Sequence, residues 1–153
     1  MKIKKLIVGI IFVALTSCGY QPIYSNKINS NILIKKIQLE GDKKINRKII
    51  LLANIKKNDQ KNSYNLTINS KKNTSITAKD KSGNASVYNT TISVELTLKE
   101  PDNSDQIFKT KKFEANFSYS NIENKFDLQQ YKKNIEENLI NNIVEEITIF
   151  LNS

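Results

Sequence analysis

Cys18 is the only cysteine, histidine is absent, and carboxylates stand side by side only at Glu136-Glu137 and Glu145-Glu146. Thiol–imidazole and serine–histidine catalysis, and histidine-ligated metal centres, therefore lack their parts. The acid pairs fall on the polar side of an expected C-terminal helix, where solvation is their ordinary fate. Four glycines in the whole chain leave no glycine-rich phosphate loop. The Asn-x-Ser/Thr triplets at Asn65, Asn73, Asn84, Asn89 and Asn116 follow from an Asn-rich composition and carry no weight. These observations predict a protein that is not an enzyme and uses no metal or cofactor. Two kinds of chemistry remain: a thiol that can be alkylated, and amines that can meet phosphate.

The thiol stands where an apolar run ends. Lys2, Lys4 and Lys5 precede about ten apolar residues, Leu6 to Leu15, the pattern of an export signal. A spanning helix would need about 20 such residues. Leu15-Thr16-Ser17-Cys18 resembles the bacterial lipobox, in which small residues admit the signal peptidase and the cysteine sulfur takes a diacylglyceryl group. The resemblance implies cleavage before Cys18, acylation (palmitate) of the new amine, and lipid attachment at Cys18. Two or more acyl chains give a stable anchor where one does not. An exported chain with one thiol also has no intramolecular disulfide partner. Residues 1–17 are thus read as a lipoprotein signal peptide, 18–31 as the lipidated N-terminus and tether, and 32–153 as one α+β domain. Loss of Lys2, Lys4 and Lys5 lowers the formal charge from +9 to +6. Gly19, rather than Asp, after the cysteine implies the outer membrane.

The amines are Lys71, Lys72, Lys79 and Lys81 near one hairpin tip, and Lys109, Lys111 and Lys112 on a later strand. Such a set could contact the phosphates of an anionic lipid, and export argues against nucleic acid as partner. The alternative is a solvated lysine face in a lysine-rich chain.

The elements that would position these groups follow from periodicity. Ile32 to Leu39 reads as a first strand ending at Gly41, and Asp42 as the N-cap of a helix over 43–57. Ile45, Ile49, Leu52 and Ala53 form its apolar stripe, and Lys56-Lys57 its positive end. Tyr64 to Ile68 alternates as a strand reaching towards Ile76 and Ala78, and Asp80-Lys-Ser-Gly83-Asn84 is turn chemistry. Tyr88, Ile92, Val94, Leu96 and Leu98 share one parity of a third strand. After a turn at Pro101-Asp102-Asn103, Ile107, Phe113, Ala115, Phe117 and Tyr119 share one parity of a fourth. From Asp127, with a capping pattern to Gln130, apolar residues step by three and four to Leu151 as a long amphipathic helix. The order β-α-β-β-β-α, begun by a right-handed crossover, predicts a two-layer sandwich: a mixed four-stranded sheet with two helices on one face and its other face polar and bare.

Cys18-Gly19-Tyr20-Gln21-Pro22-Ile23-Tyr24 resembles the start of the lipopolysaccharide-assembly lipoproteins (LptE family), especially their alphaproteobacterial branch. Ala85-Ser86-Val87-Tyr88, Leu96, Phe117-Ser118-Tyr119 and the long final helix extend the likeness in order and pattern. No Arg precedes Val87, where the family carries one. The resemblance implies a lipid-anchored outer-membrane protein on the periplasmic face. There it would plug an LptD-type β-barrel translocon, assisting barrel assembly and lipopolysaccharide delivery. Candidate phosphate contacts are Lys71, Lys72, Lys79, Lys81, Lys109 and Lys112. The alternatives are a periplasmic lipid- or solute-binding lipoprotein and a structural outer-membrane lipoprotein.

Overall fold

The computed structural model describes residues 32–58, 63–100 and 106–153. The expected signal and tether, Cys18 and the expected turn at Pro101-Asp102-Asn103 lie outside these residues. The elements are β1 (Ile34–Gly41), α1 (Lys43–Leu52), β2 (Tyr64–Lys79), β3 (Ala85–Lys99), β4 (Ile107–Ser120) and α2 (Lys125–Asn152). They form one four-stranded sheet in the order β1-β2-β3-β4. β1 and β2 run parallel, joined through α1, while β2-β3 and β3-β4 are antiparallel. This is the expected α+β sandwich.

Period-two alternation sorts β3 cleanly. Ile92, Val94, Leu96 and Leu98 are fully buried beneath the helices, as are Leu66 and Ile68 on β2 and Phe113 on β4. The helices answer with Ile45 and Ile49 from α1, and with Ile135, Leu139, Ile140, Ile143, Ile147 and Phe150 from α2. Phe150 meets Phe113 edge-on, with centroids 5.7 Å apart. Such a ring pair contributes about 0.5–1.5 kcal/mol beyond its buried area.

Four local expectations are corrected. First, α1 ends at Leu52, not 57. Asn54 takes φ 51°, its N–H reaches Leu51 O at 3.3 Å, and the Ile55 N–H reaches Ile50 O at 3.0 Å. This is a Schellman stop with Asn in the left-handed position and a buried Ile55 behind it. Lys56 and Lys57 therefore lie beyond the helix, and Lys57 bridges to Ile34. Second, the stripe of α1 buries Asn46 and leaves Leu52 exposed. Third, Asn124 rather than Asp127 caps α2, its Oδ1 accepting from Phe126 N at 2.9 Å and Asp127 N at 3.4 Å. Asp127 instead sits in the first turn, where its charge favours the helix dipole.

Fourth, a bulge shifts the parity of β4. Leu98 pairs with Lys109 but Lys99 pairs with Ile107, leaving Phe108 as the extra residue. Ile107 is exposed rather than on the core face, and Phe108 stacks on Tyr64 at 4.5 Å. Phe117 keeps the core-side parity yet is 45% exposed, although Phe113 and Tyr119 on the same strand are buried.

Helix length decides what the sheet leaves open. At 1.5 Å per residue α1 covers about 15 Å, whereas the 16 residues of β2 extend about 53 Å at 3.3 Å each. Burial on β2 accordingly stops at Ser70. Beyond that point the helix-side face of β2 is roofed only by the first half of α2, across a gap.

Candidate functional site

Two surfaces result. The first is the sheet face turned away from both helices. Its cross-strand rungs are Thr67-Thr97-Thr110, Asn69-Glu95-Lys112, Lys71-Ser93-Glu114, Asn73-Thr91-Asn116 and Ser75-Asn89-Ser118. None of these five carries an apolar side chain, and their two lysines balance their two glutamates; the next rung, Asn65-Lys99-Ile107, adds a lysine and the exposed Ile107. Thr97 and Thr110 share a hydroxyl bond of 3.1 Å, Asn89 Nδ2 donates to Ser118 Oγ at 2.9 Å, and Thr91 Oγ1 donates to Asn89 Oδ1 at 3.1 Å. Lys112 pairs with Glu114 at 3.1 Å. The face presents fixed hydroxyls and amides that can each donate and accept.

The second surface is the gap beyond α1, a cleft of about 530 Å³. Lys44 of α1, Lys72 of β2 and Lys132 and Lys133 of α2 line it, with Glu136 the acid among them. Lys72 Nζ lies 2.6 Å from Glu136 Oε2. Thr74, Thr90 and Tyr119 supply its hydroxyls: Thr74 and Thr90 are 2.9 Å apart, and Thr90 and the Tyr119 hydroxyl 3.3 Å. Lys132 sits over the Tyr88 ring at 4.7 Å, and Tyr88 stacks on Tyr119 at 5.6 Å. On the α1 side, Lys48 meets Glu137 at 3.0 Å. That hydrogen bond, then the charges of Lys48, Lys133 and Lys44, hold the Glu137 carboxyl below its usual range. The cleft keeps a positive balance and suits a phosphorylated ligand.

The lysines expected to act together are divided by the fold. Lys72 enters the cleft. Lys71 and Lys112 lie on the bare sheet face, and Lys79 and Lys81 are exposed near the β2-β3 tip. Lys109 is turned to the end of α2, donating to Phe150 O and Ser153 Oγ at 2.9 Å each and lying 4.3 Å over the Phe150 ring. It satisfies one helix-end carbonyl and the final hydroxyl. Lys111 sits over the Phe113 ring at 5.0 Å. Lys44, Lys132 and Lys133, which sequence reading passed over, join Lys72 because two helices meet above one strand. No spacing along the chain announces that meeting. Among the described residues no group of three potential metal ligands comes together.

Comparison with solved structures places this architecture. The chain superposes on the rare lipoprotein B of Shewanella oneidensis with a TM-score of 0.52 at 16% identity, covering 76% of this chain and 96% of that one. It has the fold of rare lipoprotein B. An uncharacterised lipoprotein B of Nitrosomonas europaea gives a TM-score of 0.56 at 9% identity, with 76% and 81% covered. A Caulobacter crescentus chain with a provisional lipoprotein name gives 0.53 at 11%, with 76% and 87% covered. At these identities the likeness is one of fold. No protein-family model matches the sequence. No curated protein matches it either.

Proposed function

We propose that this protein is an exported lipoprotein held by acyl chains on Cys18 at the periplasmic face of the outer membrane. It acts without catalysis as the plug and assembly subunit of a lipopolysaccharide translocon, seated in an LptD-type β-barrel. The observation that carries the reading is the bare sheet face. Strands of 14–16 residues hold open a face whose central rungs carry hydroxyls, amides and two lysines balanced by two glutamates, a surface that a polar wall can cover. Barrel lumens are polar, and an outer-membrane barrel's apolar band is about 25 Å tall. β3, about 50 Å long at 3.3 Å per residue, reaches past both rims of such a band. Exchanging water for a polar wall costs hydroxyls and amides little, since their hydrogen bonds are replaced one for one.

The cleft adds a contact for the cargo. Lipopolysaccharide carries phosphates on its sugar headgroup, and Lys44, Lys72, Lys132 and Lys133 can meet them with charge-assisted hydrogen bonds. Tagged full-length chain purified from outer membranes is expected to bring one large barrel protein in equal amount. Recovery of the acylated chain alone would refute the plug reading, and recovery of a bound apolar small molecule would point to a carrier. Lys72→Glu with Lys133→Glu should weaken lipopolysaccharide binding at least tenfold without releasing the barrel.

A further inference from the structure

The free edge of β4 coincides with a groove that nothing in the proposed function uses. Asn121 N–H donates to Ser86 O at 2.8 Å, one step beyond the Val87–Ser120 pair. By alternation the N–H groups of Tyr119, Phe117 and Ala115 point to β3, and those of Glu114, Asn116, Ser118 and Ser120 point out of the sheet. No strand or helix pairs with that edge among the described residues. Between the edge and α2 runs a groove of about 330 Å³ floored by Phe117, Tyr131, Ile135 and Leu139. Asn134, Asn138 and Asn142 repeat every fourth residue along its α2 wall. No charged side chain lines it.

We propose that this edge and groove form a docking site for an extended, uncharged peptide segment of a partner protein, added to the sheet as a fifth strand. The unpaired main-chain groups require a strand as occupant, because only a strand returns hydrogen bonds at every second residue. An exposed edge of this kind is otherwise an aggregation liability that folds suppress with charge or cover. Here the suppression is confined to one end. Lys109, Lys111 and Lys112 crowd the first half of β4, whereas Ala115 to Ser120 carry no charge. The apolar floor asks for apolar side chains at alternate positions. From Tyr131 to Asn142, α2 advances about 16 Å at 1.5 Å per residue. That matches about five strand residues at 3.3 Å, two or three of them pointing into the groove. The neutral lining favours an uncharged segment over the acidic one that the chain's net positive charge would otherwise attract.

The probe is an acetylated, amidated nonapeptide, Gly-Thr-Val-Ser-Ile-Asn-Val-Thr-Gly, added to the full-length protein in lipid nanodiscs. Two N-methylated versions accompany it, one blocked at Val and Ile, the other at Thr, Ser and Asn. The docking site predicts saturable binding, protection of the Asn116 and Ser118 amides from exchange, and at least tenfold weaker binding for one methylated set only. Asn116→Pro, which removes an outward N–H without touching the β3 ladder, should weaken binding by a similar factor. Absence of binding, or equal tolerance of both methylated sets, would overturn the proposal. So would protection of the same amides without peptide that rises with protein concentration, which would mean that a second copy closes the edge. None of these outcomes depends on whether a barrel partner exists.

Discussion

Gly41 and Gly83 both take positive φ, at 72° and 84°, yet substitution to alanine should affect them very differently. At Gly41, where β1 turns into the cap of α1, an added Cβ would stand 2.0 Å from Ser70 O and 2.9 Å from Asn69 Oδ1. Ser70 O is backbone on the neighbouring strand and cannot rotate away. It also accepts the Asp42 N–H at 2.9 Å, while Ser70 Oγ donates to Asp42 O at 3.0 Å. Gly41→Ala therefore imposes about 1–2 kcal/mol of left-handed strain. It also breaks a hydrogen bond and orphans a buried carbonyl, together about 2–3 kcal/mol. The total is about 3–5 kcal/mol, or roughly 10–20 °C in Tm for a domain of this size. At Gly83 nothing lies within 4 Å of the same Cβ, so only the strain of about 1–2 kcal/mol applies. Thermal and urea unfolding of the two full-length variants, side by side, measures the difference. Equal losses would refute the reasoning that close approach of β1 to β2, and not φ alone, demands Gly41.

Phe113→Ala should cost about 3–5 kcal/mol in urea unfolding, since the ring is 1% exposed and packs edge-on against Phe150. Asn46, fully buried, donates from Nδ2 to Glu40 O at 2.6 Å and leaves Oδ1 without a partner. Asn46→Ala should lose about 1–3 kcal/mol by orphaning the Glu40 carbonyl, again read by urea unfolding. The Asp80 carboxyl is held below its usual range, first by the Asn84 N–H and also by the Ser82 N–H. A lowered folded pKa means its contribution is present above the unfolded pKa and lost as pH falls through the folded one. NMR shifts of Ser82 and Asn84 should titrate below the usual aspartate range and stop doing so in Asp80→Asn. Cys18→Ala should release the protein from the membrane fraction while retaining its unfolding transition, and loss of that transition would contradict an anchor-only role.

Most of the fold was legible because alternation and helical stepping are properties of the chain itself. Ile92 to Leu98 could bury one face in only one way as a strand, and Leu128 to Phe150 could do so only as a helix. The element order then left few topologies. The end of α1 was written in the sequence too, as Asn54 before Ile55, but an asparagine able to take positive φ is a weak sign beside the pull of a continuing lysine-rich helix pattern. The β4 bulge was not legible. Alternation continues through Ile107, and only pairing with Lys99 shows that Phe108 is the inserted residue.

By itself the sequence determined that the chain has one thiol and no histidine, and that it folds as two layers with a polar outer sheet. These depend on residue type and near-neighbour spacing alone. Tertiary structure decided which lysines work together. Lys71 and Lys72 are adjacent in sequence and face opposite sides of the sheet, while Lys72 and Glu136 are 64 apart and touch. It also decided that a short α1 opens a cleft and that β4 keeps a free edge beside an apolar groove. Both follow from how far each element reaches across its neighbours, a length comparison that exists only once the elements are stacked.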